Sequence, residues 1–303
     1  MTAAVGAETG AVYDRGYRPY EGPRGGRSAA RNALYRASIR RALGLRRSWR
    51  QKVAPFVLLG IAVIPAIVNV GVQYLTRNTA GREIRFFTYR EYLGVSNTLL
   101  VFVALTAPDL MCPDRRQHVL PLYFARPLKG VDYVLAKAGA MLSILVAFSL
   151  LPQIVLYVGN MLVSKDGSLG YLTGHTDVLW QVPLGVAILS AFYGLIGVAI
   201  ASMTTRRINA GASIIGLFLV TSVIAGVVTG DPHRPGFTGS AGGLIDLLSL
   251  PSMLRDIVFL GHVGNGFALS GVSNGGVAAL LVYTAIVALS IIVLLLRYDE
   301  VER

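Results

Sequence analysis

The sequence predicts an all-α, polytopic membrane protein, and three observations carry that expectation. The 303-residue chain is 53% hydrophobic and 15% charged, where soluble domains average about 25% charged. Its apolar residues gather into six stretches of the roughly 20 residues needed to cross a hydrocarbon core of about 30 Å. Its basic residues are distributed one-sidedly about those stretches, as cytoplasmic loops require. The same composition excludes other classes. Disorder is incompatible with so much apolar surface. One cysteine cannot build a disulfide scaffold, and the 34 glycines lack a collagen period.

Residues 1–31 form a cytoplasmic tail. The first fifty residues are rich in arginine and hold no apolar run, so no cleavable signal peptide is expected, and the first span is its own insertion signal. The six spans are residues 53–75, 92–111, 133–163, 178–203, 209–229 and 275–296, within a transmembrane domain of 53–296. Trp49, Tyr74, Tyr92, Tyr133, Trp180 and Tyr298 mark their ends, at headgroup depth. Spans four and five are joined by a tight polar turn, residues 204–208. With both termini cytoplasmic, including a tail of 297–303, 21 of the 28 Lys and Arg lie inside. The outer loops hold 7 basic and 7 acidic residues, so the whole net charge of +12 falls on one side. The first outer loop departs from this balance: Arg77, Arg82, Arg85 and Arg90 face Glu83 and Glu91 alone.

A long outer segment, 230–274, separates spans five and six. Its centre, GLIDLLSLPSMLRDIVFLG, is too apolar for a solvated loop. Asp246, Pro251, Arg255 and Asp256 make it a poor lipid-facing span. The expectation is two short re-entrant helices, broken at Pro251 and dipping back against other helices. The competing reading is a seventh span that strands the C-terminus outside.

Several chemistries lack their residues. Lys52, Lys129, Lys137 and Lys165 are the only lysines and none follows glycine, so no Walker A loop exists to hold ATP. No Asp or Glu falls within an expected span, Asp109 sitting at the cytoplasmic end of the second; that disfavours an ion-coupled carrier. His118, His175, His233 and His262 are scattered without ligand spacing, and no metal site is expected. Cys112 lies at the reducing face. The basic balance is placed at the membrane, so no nucleic-acid partner is expected.

The informative stretch is 107–137, APDLMCPDRRQHVLPLYFARPLKGVDYVLAK. Pro113 suits a first helical position and Asp114 the positive end of a helix dipole. Arg115 and Arg116 follow, then apolar Val119, Leu120, Leu122, Tyr123 and Phe124. Such a piece is too short and charged to span and too apolar to be a solvated loop. It either lies on the membrane surface as an amphipathic helix or docks into a partner's groove.

At these residues the chain resembles the permease subunits of ABC-2 type transporters, a family of bacterial ABC exporters. The resemblance is carried in order by Asp114-Arg115-Arg116, Leu120 to Phe124, Arg126-Pro127-Leu128, Asp132-Tyr133 and Lys137. His118 and Ala136 stand where the family often has glycine. The tail from Tyr13 to Arg24, YDRGYRPYEGPR, is similar to that of a bacterial subgroup of these permeases. Six spans and a re-entrant outer segment agree with the family as well.

The resemblance implies a multi-pass protein of the bacterial plasma membrane, the non-enzymatic half of an exporter. A separate cytoplasmic ABC ATPase would bind the ATP and Mg, and this chain no cofactor. A second permease copy, identical or different, would complete the path among membrane lipids. Within a coupling segment of 111–132, residues 113–128 would rest in the ATPase groove, with contacts from Asp114, Arg115, Arg116, Leu120, Leu122, Tyr123, Phe124, Arg126 and Pro127. Arg206 and Arg207 in the 204–209 turn would make the smaller contact. Residues 32–50 would form an amphipathic connecting helix on the inner surface. Its sequence agrees: Ile39, Leu43 and Leu45 are apolar, while Arg36, Arg40, Arg41, Arg46 and Arg47 can reach anionic headgroups.

Cargo is barely encoded. Asn69, Gln73, Asn97, Thr98, Gln153 and Asn160 are neutral polar groups within spans; they line a path or, the favoured reading, hydrogen-bond neighbouring helices. Small residues Gly194, Gly197, Ala201, Gly211 and Gly216 permit close helix contact. The lack of a midplane charge leans toward amphipathic or lipid-like cargo moved outward. Two rival readings stand beside the permease: an ATP-independent channel or carrier, and a membrane anchor or sensor.

Overall fold

The computed structural model describes residues 25–45, 49–76, 87–92, 96–124, 128–164, 167–229, 241–270, 272 and 274–302. These form helices joined by turns, with no strand among the described residues. The Tyr13 to Arg24 motif, and with it most of the 1–31 tail, lies outside them.

Helix α1, Arg27–Ala42, begins and ends earlier than the expected 32–50. Gly44 is the reason: at φ 66° it takes the left-handed conformation that only glycine adopts without strain. The Leu45 and Gly44 N–H groups then bond back to the carbonyls of Arg40 (2.9 Å) and Arg41 (3.1 Å), the pairing that closes a helix C-terminus. Helix α2 follows, Trp49–Thr76, then a single turn α3, Tyr89–Tyr92.

Helix α4, Ser96–Arg116, corrects two expectations. Tyr92 does not open it, being in α3. Pro113 does not open a new helix; it lies inside the last turns of α4, so Asp109 and Asp114 both belong to this helix. The chain leaves α4 at His118, φ 50°. The Val119 N–H bonds to the Asp114 carbonyl (3.2 Å) and the His118 N–H to that of Arg115 (3.3 Å), again the left-handed closure. A short helix α5, Leu120–Phe124, comes next.

Helix α6, Gly130–Val163, is opened by Asp132, whose carboxylate accepts the Lys129 N–H at 3.1 Å. A short α7, Gly167–Gly174, lies between α6 and the next long helix. Helices α8, Val178–Met203, and α9, Arg207–Thr229, match the expected fourth and fifth spans within two residues. Within the 230–274 segment a 3₁₀ turn, Ala241–Ile245, precedes α10, Leu250–Leu260. The expected break at Pro251 falls earlier. The Asp246 carboxylate accepts the Leu248 N–H at 3.1 Å, turning the chain there. Pro251 sits in the first turn of α10, where its missing N–H costs nothing. Helix α11, Gly275–Glu302, ends the chain.

Among the described residues, five helices are long and apolar enough to cross a membrane: α2 from Pro55, α6, α8, α9, and α11 to Asp299. That is the mark of a multi-pass membrane protein. Helix α4, the expected second span, falls outside that set. Its C-terminal half carries Asp109, Asp114, Arg115 and Arg116, and these lower its hydropathy.

Helix α8 is the centre. Buried residues make up 72% of its apolar window, against 17% for α2, α9 and α11, so the outer helices present apolar faces outward. Helices α4, α6, α9, α10 and α11 pack on α8, while α1 and α2 lean on α6. Missing side chains set the closest approaches. A Cβ on Gly197 would lie 2.4 Å from Val103, and one on Gly194 2.8 Å from Leu145. Gly211 approaches the Ala104 carbonyl, which Pro108 leaves without its helical N–H partner. Ala201 is fully buried. Gly216 has open space around it, so it is not a contact glycine among the described residues.

Candidate functional site

The last two turns of α4 place Asp109, Asp114 and Arg115 where five other helices meet at one end of the bundle. Asp114 is fully buried. Its carboxylate takes the Lys137 ammonium of α6 at 2.6 Å, the Tyr133 hydroxyl of α6 at 3.0 Å, and the Arg41 guanidinium of α1. Lys137, equally buried, also donates to the Leu110 carbonyl at 3.0 Å. A buried charge survives only when paired and hydrogen-bonded, and here both carboxylate oxygens are answered.

Around this centre the same end is tied further. Arg207, opening α9, meets Asp109 at 2.5 Å. The Ser202 carbonyl, near the end of α8, accepts Arg115 of α4 and, at 3.0 Å, Arg297 of α11. Terminal carbonyls of a helix lack intrahelical donors and sit at its negative pole, so two guanidinium groups suit the place. Asp132 of α6 holds Arg27 at 2.5 Å and Arg31 at 3.9 Å. Tyr133 packs on Tyr298 of α11, ring centroids 4.7 Å apart. One short stretch of α4 is thereby linked to α1, α6, α8, α9 and α11.

The expected contact residues divide accordingly. The carboxylate of Asp114 works inside the bundle, not at its surface, and Arg115 is engaged by α8. Arg116, Arg206 and Arg207 are exposed, though Arg207 leans on Asp109. Leu120 is buried and Tyr123 half-buried, its ring 6.0 Å from that of Tyr133. The side chains of Leu122 and Phe124, and Arg126 and Pro127 altogether, lie outside the described residues. Sequence reading missed the Lys137 to Asp114 pair. The signal was present: Lys137 is the only charge in the expected third span, and a lone intramembrane charge requires a partner.

The expected path residues collect at the opposite end, around the 87–92 segment. Asn69 donates to the Phe87 carbonyl and Gln153 to that of Tyr89, each at 3.3 Å. Asn160 donates to the Tyr89 hydroxyl at 2.9 Å. That hydroxyl also meets the Tyr171 hydroxyl of α7 at 2.7 Å. Gln73 is buried beside them, and its amide nitrogen finds no partner among the described residues. Thr98 lines a small cavity of about 40 Å³ with Ala62, Tyr92 and Ser149. The Asn97 side chain lies outside the described residues. These amides therefore hold a connecting segment against α2 and α6.

A second ion-paired centre lies with α10: Arg255 and Asp256 are buried and paired at 2.6 Å, with Arg90 reaching Asp256 at 3.4 Å. Gly264 is pressed against that carboxylate, where a Cβ would fall 2.2 Å from it. Among the described residues no three of His, Cys, Asp or Glu gather as a metal site would need. In comparisons with known proteins, no family model and no solved structure matches the chain.

Proposed function

We propose that this chain is the membrane-spanning permease subunit of an ATP-binding cassette exporter of the ABC-2 type. It lies in the bacterial plasma membrane with both termini cytoplasmic, α4 being a sixth span. Two permease copies form the path, and a separate cytoplasmic ATPase supplies the energy. The observation that supports this reading is the linkage at the C-terminal end of α4. Asp109, Asp114 and Arg115 tie α4 to α9, α1, α6 and α8. Directly after them come the exposed turn Gln117-His118 and α5. A push on that turn is carried through one buried ion pair and the ion pairs and hydrogen bond around it to most of the bundle at once, as coupling to a motor subunit requires.

His118 supports the reading in a second way. It adopts φ 50°, in the place where the family often has glycine, the residue suited to that conformation. The 230–274 segment, with α10 packed on α8, is read as the re-entrant outer element.

The test is co-expression with the cognate ATPase. Burying Leu122 and Tyr123 in a groove would contribute roughly 1.5–3 kcal/mol each. Leu122→Ala with Tyr123→Ala should therefore abolish co-purification by orders of magnitude while leaving membrane insertion intact. Full co-purification of that variant, with transport unchanged, would mean that α5 is an interfacial helix and no coupling element.

A further inference from the structure

Between α1, α2 and α6 runs an open groove of about 300 Å³, the size at which small-molecule sites begin. Its walls are apolar: Ile39 and Leu43 of α1, Phe56 and Leu59 of α2, and Ala147 and Leu151 of α6 among them. Ser143 supplies the one hydroxyl, already engaged by Tyr35 at 2.7 Å and by the Gly139 carbonyl at 2.8 Å. The groove thus offers nothing to a polar ligand.

Its width is held by salt bridges. Helix α1 is clamped at one end by Arg27 to Asp132 and at the other by Arg41 to Asp114, so it cannot slide in to fill the space. Ser143, Ala147 and Leu151, one helical turn apart on α6, are exposed along the floor.

Charge identifies the occupant. Arg36 and Arg40 are exposed, and by helical spacing they form a stripe directly beside Ile39 and Leu43. Neither is paired with a carboxylate among the described residues, unlike Arg27, Arg31 and Arg41. An apolar slot bordered by two uncompensated guanidinium groups, opening beside the exposed apolar faces of α2 and α6, matches one molecule class. We infer that the groove binds one acyl chain of an anionic phospholipid whose headgroup rests on Arg36 and Arg40. This requires only that the chain lies in a bilayer, and it stands whether or not an ATPase is the partner.

The full chain, reconstituted in phosphatidylcholine vesicles, is exposed to phosphatidylglycerol carrying a photoreactive diazirine tail. A parallel sample receives the same tail on phosphatidylcholine, and mass spectrometry locates the adducts. The anionic probe should mark the groove residues about 25-fold more than the choline probe. Arg36→Gln with Arg40→Gln should bring the two probes level, each arginine contributing about fivefold. Ala147→Trp should remove groove labelling by both probes while the outward faces of α9 and α11 stay labelled. Ala147 is exposed, so the indole enters the groove and not the core; Leu151→Trp is a second plug should that variant fold poorly. Equal labelling by both headgroups in the unaltered protein would overturn the inference. So would groove labelling indifferent to the tryptophan plugs, or a molecule other than phospholipid retained in the groove.

Discussion

Asp114→Leu strands Lys137 in the bundle, because both side chains are no more than 1% exposed, whereas Lys137→Met leaves Asp114 with Arg41 as its one cation among the described residues. Loss of one partner of a buried pair costs about 3–5 kcal/mol, so Asp114→Leu should cost that much and Lys137→Met an amount toward the low end of it. Removing both leaves no orphaned charge there. Arg41 is 32% exposed and can turn to water, and the remaining penalty is the Tyr133 hydroxyl without its acceptor, about 1–3 kcal/mol. The double variant should therefore be more stable than either single one, with a coupling energy of at least about 3 kcal/mol. In thermal unfolding of the detergent-solubilised protein, followed by far-ultraviolet circular dichroism, each single change should lower Tm by on the order of 10 °C. The double change should restore about half of the larger loss. Additive losses, or a Lys137→Met protein as stable as the parent, would refute the argument that these charges depend on one another.

Other outcomes follow from the same geometry. Gly197→Ala forces a methyl to within 2.4 Å of buried Val103 and should cost roughly 1–3 kcal/mol. Gly216→Ala meets nothing and should be neutral or stabilising by up to about 1 kcal/mol; the reverse ranking in a thermal assay would contradict the packing. In a Cys112→Ala background, cysteines at Ser168 and Gly239 should react with an impermeant thiol reagent in intact cells, and one in the 297–303 tail should not. Labelling of the tail would support a seventh span and place the C-terminus outside.

Helix identity at the bilayer-crossing elements was legible in the sequence because apolar content is a local property. The expected 178–203 is α8 to the residue, and 209–229 differs from α9 by two. Boundaries were less legible where a proline or a turn has two uses. Pro113 was read as a helix start and Pro251 as a break; α4 runs through the first and α10 begins just before the second. A proline is compatible with either place, and the choice was made by neighbouring bonds. The left-handed His118 closes α4 five residues after Pro113, and the Asp246 carboxylate turns the chain ahead of α10. Gly44 could have been read as the end of α1, but the arginine run beyond it suggested a longer amphipathic helix.

The sequence by itself determined that this is an all-helical, membrane-type chain with a strong net positive charge, since hydropathy and charge are sums over residues. It also placed Asp114, Arg115 and Lys137 in one motif. Only the tertiary structure decided what those charges do. Asp114 and Lys137 are 23 positions apart, on different helices, and nothing local pairs them. Their contact at 2.6 Å exists because α1, α4 and α6 converge at one end of the bundle. Packing likewise turned Asn69, Gln153 and Asn160 toward the 87–92 segment, a destination that spacing along one helix cannot express. Burial is a property of the assembled bundle, and it converts a surface-type sequence motif into an interior ion-pair network.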